Sequence, residues 1–493
     1  MVTKKQYEAV IGLEVHAELA TRSKMFCSCA VVDSTSAEPN IAVCPVCAGM
    51  PGVLPVVNQA AVELGIRVAL ALECEIAPVS IFARKNYFYP DLPKGYQISQ
   101  YEQPLAQNGR LVIPTSHGEK VVRICRVHLE EDTGKLTHVN NNGQSYSLVD
   151  LNRAGVPLLE IVTEPDLNSA EEVRAYAMTL RNVLRYCEVN SGDLQKGVLR
   201  IEPNVSVREI GCPELGTRTE IKNLNSFRAL ERSVAFEIKR QIELLERGEK
   251  VLQETLGWDD VLGVTVTQRS KEEAHDYRYF PEPDLPPLVI NQEWIEKVRL
   301  QLPELPISRQ RRFQTQYGLS AYDAEVLTEE KVIADYFEEV VKTSPQIAPK
   351  TIANWISGEL FGLFHQAGVG FDPKRLSTNA LAELLMELAN GTINQASAKI
   401  ILAEMFESGK RAGELIQAKG LTQISDVELI REWVIQVCQA NPQQIEAYKK
   451  GKETIAQWLF GQVMRQAGGK ANPHIVREML AEYLKGLNEK PQA

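Results

Sequence analysis

Apolar and polar positions alternate through EAVIGLEVHAELAT near the start of the chain. Leu13, Val15, Ala17 and Leu19 fall on one face, and Glu14, His16 and Glu18 on the other, as in a half-buried strand. KVVRICRVHLEEDTGK alternates in the same way and sets Arg126, His128, Glu130 and Asp132 on one face. GVLRIEPNVSVRE and GTRTEIKNLNS read as further strands, with Arg200, Glu202 and Asn204 on the first and Lys222, Asn223 and Asn225 near the end of the second. Helical spacing governs residues 56–73, a segment opening at Ser169 with Glu172 as its capping-box partner, and a long segment opening near Asn225 or Ser226. The last of these places Phe227, Leu230, Val234, Ile238, Ile242 and Leu245 on one stripe and should stop at Gly248. From Glu293 onward the pattern is helical throughout. In the final unit, Gly468-Gly469 should end one helix and Asn472-Pro473 start the next.

One stretch fits neither period. RKNYFYPDLPKGYQISQYEQ (84–103) interleaves Tyr87, Tyr89, Tyr96 and Tyr101 with Arg84, Lys85, Asp91 and Lys94, and carries Pro90, Pro93 and Gly95. Prolines fix φ and remove donors, so an ordered, extended loop is expected. It reads either as the wall of a site for a charged substrate or as a surface loop whose rings cover a core. HDYRYFPEPDLPPL (275–288) repeats the mixture, and its prolines mark a domain end.

A chain of 493 residues exceeds one core and implies two to four domains. Its 44% hydrophobic and 24% charged content are those of a globular protein. No apolar run approaches membrane-spanning length and the N-terminus lacks a signal-peptide core, so the expected location is cytoplasmic, with no membrane partner. Nine cysteines, an odd number, do not read as a disulfide framework. The net charge of −10 opposes indiscriminate nucleic-acid binding. Residues 411–493, however, carry +2 and leave −12 to the rest. Lys449, Lys450, Lys452, Arg465 and Lys470 there fit either a polyanion-docking face or an ordinary solvated one.

Candidate chemistry falls on the polar strand faces. Glu14, His16 and Glu18 at i, i+2, i+4 could converge on Mg²⁺ or Mn²⁺ or simply face solvent. Glu130, Glu131 and Asp132 in succession repel unless a cation lies among them. Glu160, in an aliphatic run, demands either that cation or an ion pair. Cys27-Ser28-Cys29 and Cys44-Pro45-Val46-Cys47, fourteen residues apart, have the spacing of a closed four-thiolate site for structural Zn²⁺.

IGLEVHAEL, RKNYFYPDLPKGYQISQYE, HLEEDTGK, NRAGVPLLEIVTEPD, EIKNLNS, HDYRYFPEPDLPPL and GGKANP together resemble the GatB/GatE family of tRNA-dependent amidotransferase components, nearly end to end. The resemblance implies an α+β protein: an antiparallel-sheet cradle domain related to the glutamine synthetase fold (1–292), then all-α helical (293–410) and tail (411–493) domains, the tail gripping tRNA. It implies ATP-dependent phosphorylation and amidation of glutamate on tRNA(Gln) or aspartate on tRNA(Asn). Ammonia would come from a glutaminase partner, A, in a heterotrimer completed by a small belt-like partner, C. It assigns Mg²⁺ to Glu14, His16, Glu130 and Glu160. Lys85, Arg153, Arg200 and Lys222 would serve the phosphates and acyl carboxylate, and Tyr87, Tyr89 and Tyr96 would line the pocket. The chain departs from the family where Arg200-Ile201-Glu202 replaces Arg-Cys-Asp and where Leu256 replaces Arg. A stand-alone ammonium-dependent ligase and a non-catalytic tRNA scaffold are the competing readings. No complete glutaminase signature occurs in the chain.

Overall fold

The computed structural model describes residues 6–141, 144–270, 277–424 and 426–488. Among them the chain forms two compact units, meeting in sequence at Pro306 and Ile307.

The first unit is built on a nine-stranded sheet. In spatial order its strands are Val264–Ser270, Glu254–Asp259, Thr219–Lys222, Leu199–Glu209, Tyr7–Glu18, Pro157–Thr163, Gly118–Glu131, Ala106–Thr115 and Glu75–Ile76. Every neighbouring pair is antiparallel except Thr219–Lys222 with Glu254–Asp259. Alternation along the first strand is as the pattern predicts: Leu13, Val15 and Ala17 are buried, and Glu14, His16 and Glu18 lie half-buried on the opposite face. The helices Gln59–Ala71, Ala170–Tyr186 and Phe227–Glu246 supply the other half of the apolar core. Gly65 lets the first helix approach closely, since a Cβ there would lie 2.8 Å from Leu105 Cδ2. One face is thus sealed by helices while the other presents polar side chains.

Several expectations change. Ser169 caps its helix through the Glu172 amide, but the Glu172 carboxylate bonds the Asn168 amide, so no reciprocal box forms. The 84–103 stretch is a loop only at its tip. Ala83–Asn86 and Tyr96–Ser99 pair with each other, and Phe280–Pro281 adds to the first of them. The prolines sit at 90 and 93, so the flanks keep the donors that pairing needs. His275 and Asp276 lie outside the described residues.

The second unit is helical, with one core drawn from residues 313–416 and another from 430–484. Ala412, Leu415 and Ile416 belong to the first of these cores, and Ile295 and Val298 to the sheet unit.

Candidate functional site

Register assembles the polar face. Across the central strands, Arg200 lies opposite His16, His16 opposite Glu160, and Glu160 opposite His128. Residues two apart extend this row, and three groups result.

In the first group His16 Nε2 is 3.4 Å from Glu160 and 3.8 Å from Glu130, while His128 Nε2 is 3.1 Å and 3.9 Å from the same carboxylates. Glu130 also accepts from Ser99 Oγ at 3.1 Å. The His16 and His128 Nδ1 atoms are buried without a hydrogen-bond partner. Burial opposes charge on His16, but Glu160, Glu202 and Glu130 outweigh it and raise its pKa to about 9. Burial likewise opposes charge on Glu160, and the two imidazoles hold its carboxyl well below the usual range. Lys85 feels the charge of this group. Burial acts to lower its pKa, yet Glu130 and Glu160 hold it raised, and its ammonium lies 5.1 Å from the Tyr277 ring. Ligand atoms of His16, Glu130 and Glu160 lie within 4.8 Å of one another, a donor set suited to a hard divalent cation.

Glu14, expected in that set, belongs to a second group with Glu202 and Glu220, whose ligand atoms also lie within 4.8 Å of one another. Asn204 donates to Glu14 at 3.1 Å, Lys222 Nζ lies 2.8 Å from Glu202 and 3.2 Å from Glu220, and Thr255 donates to Glu220 at 3.0 Å. Burial, then Glu160, Glu220 and Glu202, raise the Glu14 pKa. Glu220 is absent from the residues singled out in the sequence, although two-residue alternation with Lys222 in TEIK marks it.

The third group gathers Glu18 and Asp132 with two arginines. Arg200 donates to Asp132 at 2.8 Å and Arg153 Nε approaches it at 3.6 Å. Arg153 also donates to the Thr133 and Gly134 carbonyls. Burial, then the Asp132 charge, push Glu18 up to about 7. The successive acids 130–132 therefore share no single cation: Glu130 joins the histidines, Glu131 pairs with Lys94, and Asp132 meets the arginines.

The small sheet supplies the aromatic wall. Tyr87 Oη donates to Gln97 at 3.2 Å and its ring meets Tyr277. The Arg84 guanidinium lies 4.3 Å from the Tyr96 ring centre and forks onto Glu282. Tyr101 stacks on Tyr279 at 4.3 Å. Tyr89 stands apart at the exposed loop tip beside Phe88.

Beyond this face, the thiol sulfurs of Cys27, Cys29, Cys44 and Cys47 all lie within 4.8 Å of one another. A hydrogen bond from Cys27 leads the causes that draw Cys47 down to about 4, while burial pushes Cys29 up to about 11. Four convergent sulfurs fit a tetrahedral site, and one thiol already favoured as thiolate begins it.

Comparison with known proteins accords with this geometry. Residues 9–296 match the GatB/GatE catalytic domain, and residues 335–484 match the GatB domain. A Thermodesulfovibrio yellowstonii protein, named as the B component of an aspartyl/glutamyl-tRNA(Asn/Gln) amidotransferase, is 52% identical over 480 residues, covering 97% of this chain and all of that protein. Proteins of the same name from Moorella thermoacetica and Caldicellulosiruptor bescii are 53% and 50% identical, covering 97% and 98% of this chain and all of each relative. The first match alone spans more than half of the chain, and the chain belongs to the GatB/GatE family.

Proposed function

We propose that this chain is the activating component of a tRNA-dependent amidotransferase, converting glutamate on tRNA(Gln), aspartate on tRNA(Asn), or both, to the amide. The observation that carries the reading is the pair of adjacent acidic groups on one sheet face, flanked by Lys85, Arg153 and Arg200. The names of the relatives supply the substrate.

A carboxylate resists attack by ammonia because oxide is a poor leaving group. Transfer of the ATP γ-phosphoryl to the carboxylate oxygen forms an acyl phosphate and ADP. Ammonia then attacks the carbonyl carbon, phosphate departs, and the nitrogen sheds a proton. Mg²⁺ held by His16, Glu130 and Glu160, with a second ion at Glu14, Glu202 and Glu220, would neutralise charge on the transferring phosphates. Lys85, a cation held charged by Glu130 and Glu160, would meet the phosphoryl oxygens. Arg200 and Lys222 hold the acids beside them in place, through Asp132 and through Glu202 and Glu220. Arg153 is half-buried beside them and can turn to an acyl carboxylate. Tyr87 and Tyr96 wall the pocket, and Tyr89 stays apart from it at the exposed loop tip. Glu202 keeps the carboxylate that the family's Asp supplies, and Leu256 is buried on the strand next to the sheet's edge.

The same reading proposes Zn²⁺ at the four cysteines as a structural ion, a glutamine synthetase-like cradle, A and C partners in a heterotrimer, and a cytoplasmic setting. It proposes three domains, a cradle (1–292), a helical domain (293–410) and a tail (411–493), with Ile295 and Val298 packing on the cradle core and Ala412, Leu415 and Ile416 on the helical core. No helix among the described residues is long and apolar enough to cross a membrane. The test is Glu130→Gln in the reconstituted complex. ATP turnover and amidated tRNA should both be lost while glutamine hydrolysis by the partner persists, and unchanged ATP turnover would refute the assignment.

A further inference from the structure

Lys24 is among the largest fully buried side chains, with 0% of its surface exposed. Among the described residues it forms no ion pair with a carboxylate. Its ammonium donates to the Ala42 carbonyl at 2.8 Å, the Leu151 carbonyl at 3.1 Å and Cys47 Sγ at 3.5 Å. These three bonds use all three donors. A buried cation without an anion costs several kcal/mol, so the fold must supply negative charge nearby. Among the described residues, the only acidic group that the ammonium touches is Cys47, a member of the cysteine cluster.

We propose that Lys24 is the counter-ion of a four-thiolate zinc centre and the strut through which that centre holds the segment 151–156 of the catalytic face. The proposal rests on the zinc reading above. Zn²⁺ on four thiolates carries a net charge of −2, and binding expels the thiol protons. A partly buried dianion is costly too, and an N–H···S contact from Lys24 offsets both. The ammonium also spans three separate loops. Ala42 lies between the cysteine pairs and is itself held by Asn152, whose side chain accepts from the Ala42 amide at 3.0 Å. Leu151 opens the segment carrying Arg153.

The backbone around Lys24 makes the same connection. The Lys24 amide donates to the Cys29 carbonyl, the Met25 amide to Gly155, and the Gly155 amide to Asp132. Gly155 adopts φ +86°, and a Cβ there would meet Cys47 Cβ and Lys24 Cδ at 3.5 Å. A chain of bonds thus leads from the sulfurs to Asp132, the acceptor of Arg200. Zinc occupancy should set the order of the arginine group without touching substrate.

The test uses the purified complex with full-length chains. Lys24→Met keeps the stem and removes the charge. It should retain zinc at first but release it to a chromogenic chelator about 10–100-fold faster, the range for loss of an outer-shell partner. The effect on stability should be larger with the metal than without it. In the zinc-loaded complex Lys24→Met lowers the melting temperature. After stripping under reducing conditions the same change lowers it less, because the ammonium then faces a single thiolate rather than a dianion. Should Lys24→Met fail to accumulate, hydrogen exchange in the unaltered complex decides. Zinc removal should deprotect residues 151–156 as well as 27–47, and deprotection confined to 27–47 refutes the strut. Wild-type zinc release by Lys24→Met overturns the role of Lys24 alone. A complex purified with no zinc and with normal stability overturns the zinc centre itself.

Discussion

At the scale of single residues, the site depends on which side chains share an acceptor. Glu130 and Glu160 each face both imidazoles, so replacing either with its amide removes a ligand charge and leaves the shape. Glu130→Gln should cut amidation on the order of 10²–10³-fold, the loss typical of one electrostatic group in an active site. The melting temperature should move by no more than about 4 °C, which separates lost chemistry from lost fold. Glu220→Gln tests the second group. It should raise the Mg²⁺ concentration needed for half-maximal ATP turnover, and an unchanged Mg²⁺ dependence would dissociate Glu14, Glu202 and Glu220 from the reaction. Cys44→Ser should abolish stoichiometric zinc, read by metal analysis, and lower thermal stability before it alters turnover per folded molecule.

At the scale of elements, the helix Phe227–Glu246 clamps the strand that carries Glu220. Glu237, fully buried, forks with Arg240 and accepts from Thr219 Oγ1 at 2.8 Å, and Gln241 bonds the Val205 carbonyl of the next strand. Arg240→Ala strands that carboxylate and should cost about 3 kcal/mol in denaturant unfolding, where an exposed arginine would cost little. In the second unit, Glu338 ties the helix Lys331–Thr343 to Pro306–Tyr317 through Arg309, Arg312 and Tyr317. Burial acts to raise its pKa, but those hydrogen bonds hold it down to about 2 against an ordinary 4.5. Its folded pKa is depressed, so its contribution is complete above about pH 4.5 and disappears as pH falls toward 2. Urea unfolding followed across that window should show wild type and Glu338→Gln differing most near neutrality and converging in acid. A constant difference would contradict the linkage.

At the scale of the whole molecule, the proposed function divides activation and tRNA grip along the chain. Removing residues 411–493 deletes net charge of +2 and should raise KM for charged tRNA while lessening its salt dependence. An unaltered KM would leave the tail as a packing module. A complex whose glutaminase partner lacks its nucleophile should still amidate tRNA from high ammonium, whereas Glu130→Gln should fail with either nitrogen source. Measuring amidated tRNA and released glutamate in the two complexes distinguishes these roles.

What the sequence alone determined was local. Alternation in EAVIGLEVHAE and KVVRICRVHLEE was enough to place His16 and Glu130 on polar strand faces, because a strand's period needs no knowledge of its neighbours. Two cysteine pairs announced a thiol cluster for the same reason, since short loops restrict where their sulfurs can go. Tertiary structure decided the grouping. Glu14 and His16 are two residues apart, yet antiparallel register carries one toward Glu202 and Glu220 and the other toward Glu130 and Glu160. Asp132 and Arg200, far apart in sequence, meet for that reason too. Lys24 carried no signal at all, because a lone lysine in a segment of neither helical nor strand period looks solvated until the packing of the surrounding loops buries it. Spacing along one strand states which face a side chain occupies, and only the order and register of the strands beside it state whose charge it shares.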